Sequence, residues 1–300
     1  MNLLVTGAFD WNETELNLLR SLGHKVIFMQ QENSQLPCTE SWIEGIIGNG
    51  IFLHHPIEHF TSLRFIQLTS AGFDRVPIEY INEHNIKISN ARGVYSIPMS
   101  EFAIGGVLQL YKQSGYFKGN QIKHKWEKHR GLLELYQKNV CIIGCGSVGN
   151  ECAKRFKSFE CCVVGIDIAP YQNDLYDMML SLDQLNDALS NADITVISLP
   201  LTQETHHLIN AERLSLMKQG CVLVNIARGA VVDTDAMITA LQTNLRGAVL
   251  DVFEDEPLNK DSVLWDLDNV IITPHNSFVS EGNHNRMLEV IMRNLEGIVI

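Results

Sequence analysis

A glycine-rich segment near the middle of the chain has the spacing of a phosphate-binding turn. Its G-x-G-x-x-G pattern follows an apolar run at residues 140–143 and precedes a helical pattern. The first glycine permits a tight turn, the second lets the backbone approach a pyrophosphate, and the third lets the helix pack on the strand. The helix N-terminus then presents N–H groups to the anion. We therefore predict a dinucleotide site that includes Gly144, Cys145, Gly146, Ser147, Val148 and Gly149.

Asp167 ends the next apolar run, residues 161–167, where the ribose hydroxyls of a bound dinucleotide would lie. A carboxylate at this position repels the additional 2′-phosphate of NADP. An aspartate in this place can also serve as a helix N-cap or as an ordinary loop residue. The position favours NAD as the cofactor and makes NADP the less favoured one.

Three polar residues, Arg228, Glu256 and His275, each follow a predicted strand at the same edge of the sheet. A guanidinium group can bind a carboxylate and polarise a neighbouring carbonyl. An imidazolium can protonate the alkoxide that forms when that carbonyl is reduced, and an adjacent carboxylate stabilises the charged imidazole. In the oxidation direction the same histidine is the base. The set predicts an enzyme that transfers hydride between a nicotinamide and a small 2-hydroxy or 2-oxo acid.

Each of these residues has a plainer interpretation when it is considered alone. Exposed arginine and glutamate side chains are usually solvated, and a histidine after proline is usually a loop residue. Their shared position after strand ends, downstream of the glycine-rich turn, favours the catalytic interpretation, although Glu254 is a rival to Glu256. The histidines at positions 54–55, 124–129 and 206–207 lack a matching carboxylate or cysteine spacing, so we expect surface positions and no metal site.

Short apolar runs alternate with helical patterns along the chain, which is typical of parallel sheets covered by helices on both faces. Predicted helices include residues 14–22, 78–84 and 102–111, of which the last could cross between lobes, lie in a subunit interface or be an ordinary core helix. The predicted strands are residues 2–6, 25–29, 45–48, 64–68 and 87–89 in the first half, and 139–144, 161–167, 194–199, 221–226, 247–251 and 270–273 in the second.

The composition is that of a globular protein, with 45% hydrophobic and 19% charged residues, and 300 residues suffice for two domains. The longest nearly uncharged apolar stretch, residues 102–111, is too short to span a bilayer, so we expect no membrane partner. Residues 1–10 lack the positive start of a signal peptide, and we expect a cytoplasmic protein.

The net charge of -12 repels phosphate backbones, so we expect no nucleic-acid partner. The sequence has seven cysteines and no Cys-x-x-Cys spacing. Most of them lie in apolar runs, including Cys161 and Cys162, and we expect buried thiols.

The ordered set of segments resembles the D-isomer-specific 2-hydroxyacid dehydrogenase family over essentially the whole chain. Besides the glycine-rich turn with Asp167, the matching segments are residues 199–205, 225–229 with 232–233, 250–253, 256–257 and 273–275. The resemblance gives Arg228, Glu256 and His275 the roles argued above, and it implies that Asp251 holds the nicotinamide carboxamide. It also adds cofactor contacts by Leu199, Pro200, Thr205, Ala227, Arg228 and His275.

The substrate contacts are likewise implied by the resemblance. Residues 70–74 are similar to the family loop whose backbone N–H groups, here of Ala71 and Gly72, receive the substrate carboxylate. Its plainer interpretation is a turn before a helix. Ser96 falls where family members lead into the interlobe helix, and Arg228 and His275 complete the substrate contacts.

The resemblance also implies the architecture. We expect an α/β protein with two lobes, Rossmann-like and flavodoxin-like, parallel sheets flanked by helices, and a cleft between the lobes. The substrate domain would comprise residues 1–95 plus 277–300, and the NAD-binding domain residues 96–276. Family members usually dimerise through the NAD-binding lobe, so we expect a homodimer.

Alternative functions remain open at this point. One is phosphoglycerate dehydrogenase proper, which residues 48–55 disfavour because they carry no permanently charged basic side chain. Another is a non-enzymatic NAD-sensing protein that resembles the C-terminal-binding corepressors. A formate- or phosphite-type dehydrogenase is a lesser alternative. The sequence leaves Asn276 and the basic segment 123–130 unexplained.

Overall fold

A computed structural model of the chain describes residues 1–297. It contains two compact units, the first formed by Met1–Tyr95 with the described part of Ser280–Ile300, and the second by Ser96–Val279. The second junction therefore lies at residue 280, whereas the sequence analysis placed it at residue 277. The last three residues of the predicted substrate domain, 298–300, lie outside the described residues.

The first unit contains a five-stranded parallel sheet with the order β2-β1-β3-β4-β5. The strand order reverses between β1 and β3, and the loops that follow these two strands leave the same edge of the sheet. Its inner strands are almost entirely buried because both faces are covered, as their apolar sequences require. The strands are β1 (Asn2–Thr6), β2 (Lys25–Met29), β3 (Gly45–Gly48), β4 (Phe65–Leu68) and β5 (Lys87–Ser89).

Two helices lie between these strands, α1 (Glu13–Ser21) and α2 (Ile78–Glu83). A capping box begins α1: Asn12 accepts a hydrogen bond from the N–H of Glu15, and the Glu15 carboxylate accepts one from the N–H of Asn12. The capping box starts α1 at Glu13, one residue before the predicted start.

The second unit contains a seven-stranded parallel sheet with the order β12-β11-β10-β9-β6-β7-β8. Its strand order reverses between β6 and β9, as in the doubly wound dinucleotide-binding fold. The strands are β6 (Asn139–Ile143), β7 (Cys162–Ile166), β8 (Met178–Leu180), β9 (Ile194–Ile197), β10 (Val222–Asn225), β11 (Gly247–Leu250) and β12 (Val270–Ile272). The two sheets confirm the predicted α/β class.

Strand β8 was not predicted from the sequence. This strand is only three residues long, lies at the edge of the sheet and contains no β-branched residue, so neither alternation nor composition marks it. The prediction of buried thiols holds for five cysteines, whereas Cys38 is half-buried and Cys162 is exposed.

Six helices complete the second unit: α3 (Ser96–Tyr111), α4 (Ser114–Ile122), α5 (Ser147–Ser158), α6 (Leu185–Asn191), α7 (Ala211–Leu216) and α8 (Thr234–Thr243). The apolar face of α3 packs within this unit against α5 and the sheet. A Cβ atom at Gly106 would lie 2.5 Å from the Val249 side chain, so the missing side chain permits this close approach.

The final helix, α9 (Asn283–Glu296), packs in the first unit. Met287, Ile291 and Leu295 recur at a spacing of four, and all three side chains are buried in the core that also contains β1. The Nδ2 of Asn294 donates to the buried Gln67 carbonyl oxygen at 2.7 Å. Among residues 1–297, no helix combines the length and apolar character needed to cross a bilayer.

Candidate active site

The glycine-rich turn follows β6, next to the point where the strand order of the second sheet reverses. Gly144 has φ 92°, and a Cβ there would lie 2.7 Å from the backbone nitrogen of Leu199. A Cβ at Gly149 would lie 2.1 Å from the carbonyl oxygen of Gly144. Gly146 differs, because no atom of the described residues lies within 4 Å of a Cβ built there. Two glycines are thus required by packing, and the third borders open space.

The N-terminus of α5 faces this turn, and no described side chain caps it at Gly146. Its first N–H groups are therefore placed to bind an anion, with the helix dipole adding to the attraction. An open approach at Gly146 beside such a helix terminus fits the pyrophosphate of a dinucleotide. Cys145 is buried in the turn, and burial raises the pKa of its thiol to about 11, which keeps it protonated and unreactive.

Asp167 directly follows β7 and bonds to the turn. Its Oδ2 accepts a hydrogen bond from the N–H of Cys145 at 2.8 Å, and its Oδ1 accepts one from the N–H of Ala169 at 3.1 Å. The carboxylate therefore shapes the loop after β7 and also lies beside the phosphate-binding turn. Each carboxylate oxygen can accept a further hydrogen bond, so the predicted ribose contact is compatible with this geometry.

Hydrogen bonds from its own side chains hold the loop after β9. Thr205 Oγ1 donates to the carbonyl oxygen of Pro200 at 2.8 Å and accepts a hydrogen bond from the N–H of Thr202 at 2.7 Å. Ser198, which was not among the predicted site residues, donates from Oγ to the carbonyl oxygen of Gly144 at 2.8 Å. This bond fixes the loop against the glycine-rich turn, and the position of Ser198 directly after a strand was the signal available in the sequence.

Arg228 lies in the loop after β10, and Asn225 shapes that loop. The buried Asn225 side chain accepts a hydrogen bond from the N–H of Ala227 at 3.1 Å and donates to the carbonyl oxygen of Arg228 at 3.0 Å. A Cβ at Gly229 would lie 1.8 Å from the carbonyl carbon of Phe253, so only glycine allows the loops after β10 and β11 to meet. Asn225 and Gly229 thus set the backbone that presents the guanidinium.

Asp251 follows β11 and is only 1% exposed. Its Oδ1 accepts hydrogen bonds from Thr273 Oγ1 at 2.5 Å and from the N–H of Asn276 at 2.7 Å, while Oδ2 accepts one from the N–H of Ser277 at 2.9 Å. The carboxylate therefore holds the segment after β12 against the end of β11. Its predicted contact with the nicotinamide carboxamide stays a prediction.

His275 stands in the middle of the segment that Asp251 holds. Its backbone has φ 51°, a left-handed conformation maintained by a hydrogen bond from its N–H to the carbonyl oxygen of Asp251 at 2.8 Å. The His275 Nδ1 lies 2.9 Å from Glu256 Oε2, and the two side chains are 41% and 37% exposed. The other oxygen of Glu256 accepts from the N–H of Phe253 at 3.1 Å. The predicted His–Glu pair is therefore formed, with the histidine Nε2 left for a reacting group.

His207 has a carboxylate partner that no spacing in the sequence indicated. Its Nε2 lies 3.0 Å from Oε2 of Glu254, whose other oxygen accepts a hydrogen bond from the N–H of Thr234 at 2.9 Å. Burial by itself would raise the pKa of Glu254, but hydrogen bonds from Thr234 and His207 hold it below its ordinary value. The rival glutamate thus pairs with a different histidine, and only folding across 47 positions brings the two together.

The predicted substrate loop of the first unit follows β4. Asn90 Nδ2 donates to the carbonyl oxygen of Ala71 at 2.6 Å, and Ser70 Oγ donates to that of Gly72 at 3.0 Å. These bonds hold the loop by its carbonyl groups, and within residues 1–297 no acceptor pairs with the N–H groups of Ala71 and Gly72. Their contact with a substrate carboxylate stays a prediction. Ser96, in the first turn of α3, has a buried Oγ that finds no hydrogen-bond partner in the described part of the chain.

A family model, the NAD-binding domain of D-isomer-specific 2-hydroxyacid dehydrogenases, matches residues 104–277. The chain belongs to this family. It is 34% identical over 249 residues to a glyoxylate reductase of Pyrococcus horikoshii, covering 79% of this chain and 74% of that protein. The membership identifies the chain as an oxidoreductase that binds a nicotinamide cofactor and confirms the resemblance seen in the sequence.

Solved structures agree with this assignment over nearly the whole chain. The D-lactate dehydrogenase of Aquifex aeolicus, complexed with NAD and lactic acid, is 27% identical with a TM-score of 0.78, covering 99% of this chain and 95% of that one. A D-isomer-specific 2-hydroxyacid dehydrogenase of Xanthobacter autotrophicus, in complex with NADPH and MES, is 25% identical with a TM-score of 0.80 and the same two coverages. Similar structures thus bind either nicotinamide nucleotide.

The glycines generate a prediction that separates packing from ligand binding. A methyl group in Gly146→Ala enters open space, so the free energy of unfolding should change by less than about 0.5 kcal/mol while NADH affinity falls about tenfold or more. Gly149→Ala, the matched variant, forces a clash and should cost about 1–3 kcal/mol of stability. Urea unfolding and NADH fluorescence titration measure the two effects. Unchanged NADH affinity in Gly146→Ala would show that the open space is not the nucleotide site.

Glu254 generates a prediction about pH. Because its pKa is lower in the folded protein than its ordinary value of 4.5, the ionised carboxylate stabilises the fold above that value. This contribution is lost as the pH falls through the folded value. Glu254→Gln should therefore be less stable than the parent at pH 7, and the difference should shrink below about pH 4.5. Asp255→Asn, which removes a neighbouring exposed carboxylate, is the control. A difference that stays constant from pH 7 to pH 4 would contradict the account.

Proposed function

We propose that the protein is an NAD-dependent dehydrogenase of small D-2-hydroxy acids, which also reduces the corresponding 2-oxo acids. The observation that carries the proposal is the 2.9 Å contact between His275 Nδ1 and Glu256 Oε2. This pair lies at the same edge of the second sheet as the glycine-rich turn, because both follow carboxyl ends of parallel strands. A proton-transferring group and a dinucleotide site on one edge are what hydride transfer to a carbonyl requires.

The proposed cofactor contacts come from the loops after β6, β7, β9, β10, β11 and β12. Residues 144–149 would hold the pyrophosphate and Asp167 the ribose hydroxyls, with further contacts from the other predicted cofactor residues. The carboxylate of Asp167 supports NAD over NADP, because it would repel a 2′-phosphate. When bound, the nicotinamide supplies or accepts the hydride.

The remaining steps belong to side chains of this protein. Arg228 would bind the substrate carboxylate and polarise the carbonyl, with the N–H groups of Ala71 and Gly72 and the hydroxyl of Ser96 as further substrate contacts. His275 Nε2 would donate its proton to the carbonyl oxygen during reduction and remove it during oxidation. Glu256 fixes the ring through Nδ1 and stabilises the imidazolium.

Two further parts of the proposal concern partners and location. We propose a homodimer formed through the NAD-binding unit, and its support is the exposure of apolar side chains in and after α4, with Ile122 69% and Trp126 99% exposed. A small organic acid is the proposed substrate, and the net charge of -12 disfavours nucleic acid as a partner. The cytoplasmic location stays a prediction.

The proposal predicts that His275 and His207 differ in their effect on turnover. His275→Gln should lower kcat by about 100-fold to 10,000-fold, because it removes the acid and base. His207→Gln removes the histidine of the other His–Glu pair and should leave kcat within about threefold, since Glu254 and His207 only link loops. NADH oxidation at 340 nm against glyoxylate, pyruvate, hydroxypyruvate and 2-oxoisocaproate measures both variants.

Two outcomes would contradict the proposal. Equal losses in both variants would remove His275 from its assigned role. Tight NADH binding by the folded parent protein without turnover of any 2-oxo acid would favour the NAD-sensing alternative instead.

A further inference from the structure

The carboxylate of Glu32 lies at the carboxyl edge of the first sheet, where its strand order reverses. Oε1 accepts hydrogen bonds from Thr6 Oγ1 and from the N–H of Asn49, both at 2.7 Å, and Oε2 accepts one from the N–H of Gly50 at 2.7 Å. Thr6 ends β1, and the two amides directly follow β3. Such amides at a strand-order reversal are the groups that bind ligands in open parallel sheets. In this protein the N–H groups of Asn49 and Gly50 donate to the Glu32 carboxylate.

The Glu32 carboxylate is one strand away from the loop proposed to receive the substrate carboxylate. The strands β3 and β4 pair in parallel, with Gly48 opposite Leu68, and the N–H of Thr69 donates to the carbonyl oxygen of Gly48 at 2.9 Å. Glu32 Oε1 lies 2.5 Å from the position of a Cβ at Gly48. A substrate anchored by Ala71 and Gly72 would therefore have Glu32 at the neighbouring strand end of the same edge.

The hydrogen-bond donors to the Glu32 carboxylate are a neutral hydroxyl and two backbone N–H groups. Within residues 1–297 Glu32 forms no ion pair, although the Arg75 side chain is near: a Cβ built at Gly50 would lie 3.5 Å from Glu32 Oε2 and 3.8 Å from Arg75 Cδ. His55 Nε2 lies 3.0 Å from the backbone carbonyl oxygen of Glu32. Asn49 adds a second acceptor, because its buried Oδ1 has no hydrogen-bond partner within residues 1–297. The Glu32 carboxylate and Asn49 Oδ1 are thus acceptors at this strand end, and the carboxylate itself repels a second anion.

We propose that Glu32 is a specificity-determining residue that excludes 2-oxo acids whose side chains carry a phosphate or a second carboxylate. Its carboxylate accepts the hydrogen bonds of the Asn49 and Gly50 N–H groups, which could otherwise bind the phosphate or second carboxylate. Its negative charge also repels that group. Small neutral or hydroxyl-bearing side chains are accepted. This inference rests on the proposed function and names the substrate class of that site.

The test compares substrates that are matched in size and differ in charge. Oxaloacetate and 2-oxoisocaproate have nearly isosteric side chains, and glyoxylate has none. In the parent enzyme, kcat/KM for oxaloacetate should be at least about 100-fold below that for 2-oxoisocaproate. Glu32→Gln removes the charge and keeps the shape. It should raise the ratio of kcat/KM for oxaloacetate to kcat/KM for 2-oxoisocaproate at least about tenfold, mainly by lowering the KM for oxaloacetate. The kcat/KM for glyoxylate should change by less than about threefold.

Two additional variants distinguish charge from structure. Glu32→Ala frees the two amides and should shift the ratio at least as far as Glu32→Gln. Glu58→Gln removes an exposed carboxylate from the segment that follows β3 and should leave the ratio unchanged. Equal loss of activity on all substrates in the Glu32 variants would show a purely structural role and overturn the inference.

The substrate preference of the parent enzyme alone also tests the inference. A parent enzyme that reduces oxaloacetate as efficiently as 2-oxoisocaproate would overturn the inference, even if the Glu32 variants failed to fold. If the enzyme turns over glyoxylate but the Glu32 variants leave the kcat/KM ratio of oxaloacetate to 2-oxoisocaproate unchanged, the inference is wrong. The proposed function is not affected by that result. Absence of turnover on every 2-oxo acid would overturn both.

Discussion

The buried carboxylate of Asp251 is the interaction on which the geometry of the His275–Glu256 pair depends. An ionised carboxylate removed from water is costly unless donors replace the water, and three donors do so here. All three come from residues 273–277, which follow a different strand. The charge therefore ties the end of β12 to the end of β11, and the left-handed backbone of His275 persists because this segment is held on both sides of it. The contact with Glu256 is a consequence of that attachment.

Parallel strands explain why the rest of the site assembles. Every loop that follows a strand in one parallel sheet emerges at one edge, so residues far apart in sequence become neighbours without any special local feature. The glycine-rich turn, Asp167, Arg228 and His275 share this edge in the second unit. In the first unit Glu32, Asn49 and the loop at Ala71 share the corresponding edge. The proposed cofactor contacts and the proposed substrate contacts therefore both lie at the carboxyl edge of a parallel sheet, although the two sheets differ in strand order.

Much of this arrangement could be predicted from the sequence because it depends on local patterns. Apolar β-branched runs located eleven of the twelve strands found within residues 1–297, and the glycine spacing located the turn. The His275–Glu256 pair was predictable because both residues follow strands at one edge. The role of Asp251 in holding the His275 segment was not, since a carboxylate after a strand is equally suited to bind a ligand.

The features that were missed depend on contacts between distant segments or on very short elements. His207 meets Glu254 only through the fold, and Glu32 meets Asn49 and Gly50 from a loop with no recognisable motif. The edge strand β8 has too few residues to show a period. For the two contacts, the sequence contains both partners but no local pattern that indicates they meet.

The most direct test of the central claim follows the hydride itself. NADH carrying deuterium at one or the other C4 position is mixed with excess enzyme and a reducible 2-oxo acid, and the product is analysed by mass spectrometry and chiral chromatography. The account predicts that one of the two preparations delivers deuterium to C2 of a D-2-hydroxy acid. Product without deuterium from both preparations, or bound NADH that never transfers its label, would contradict it.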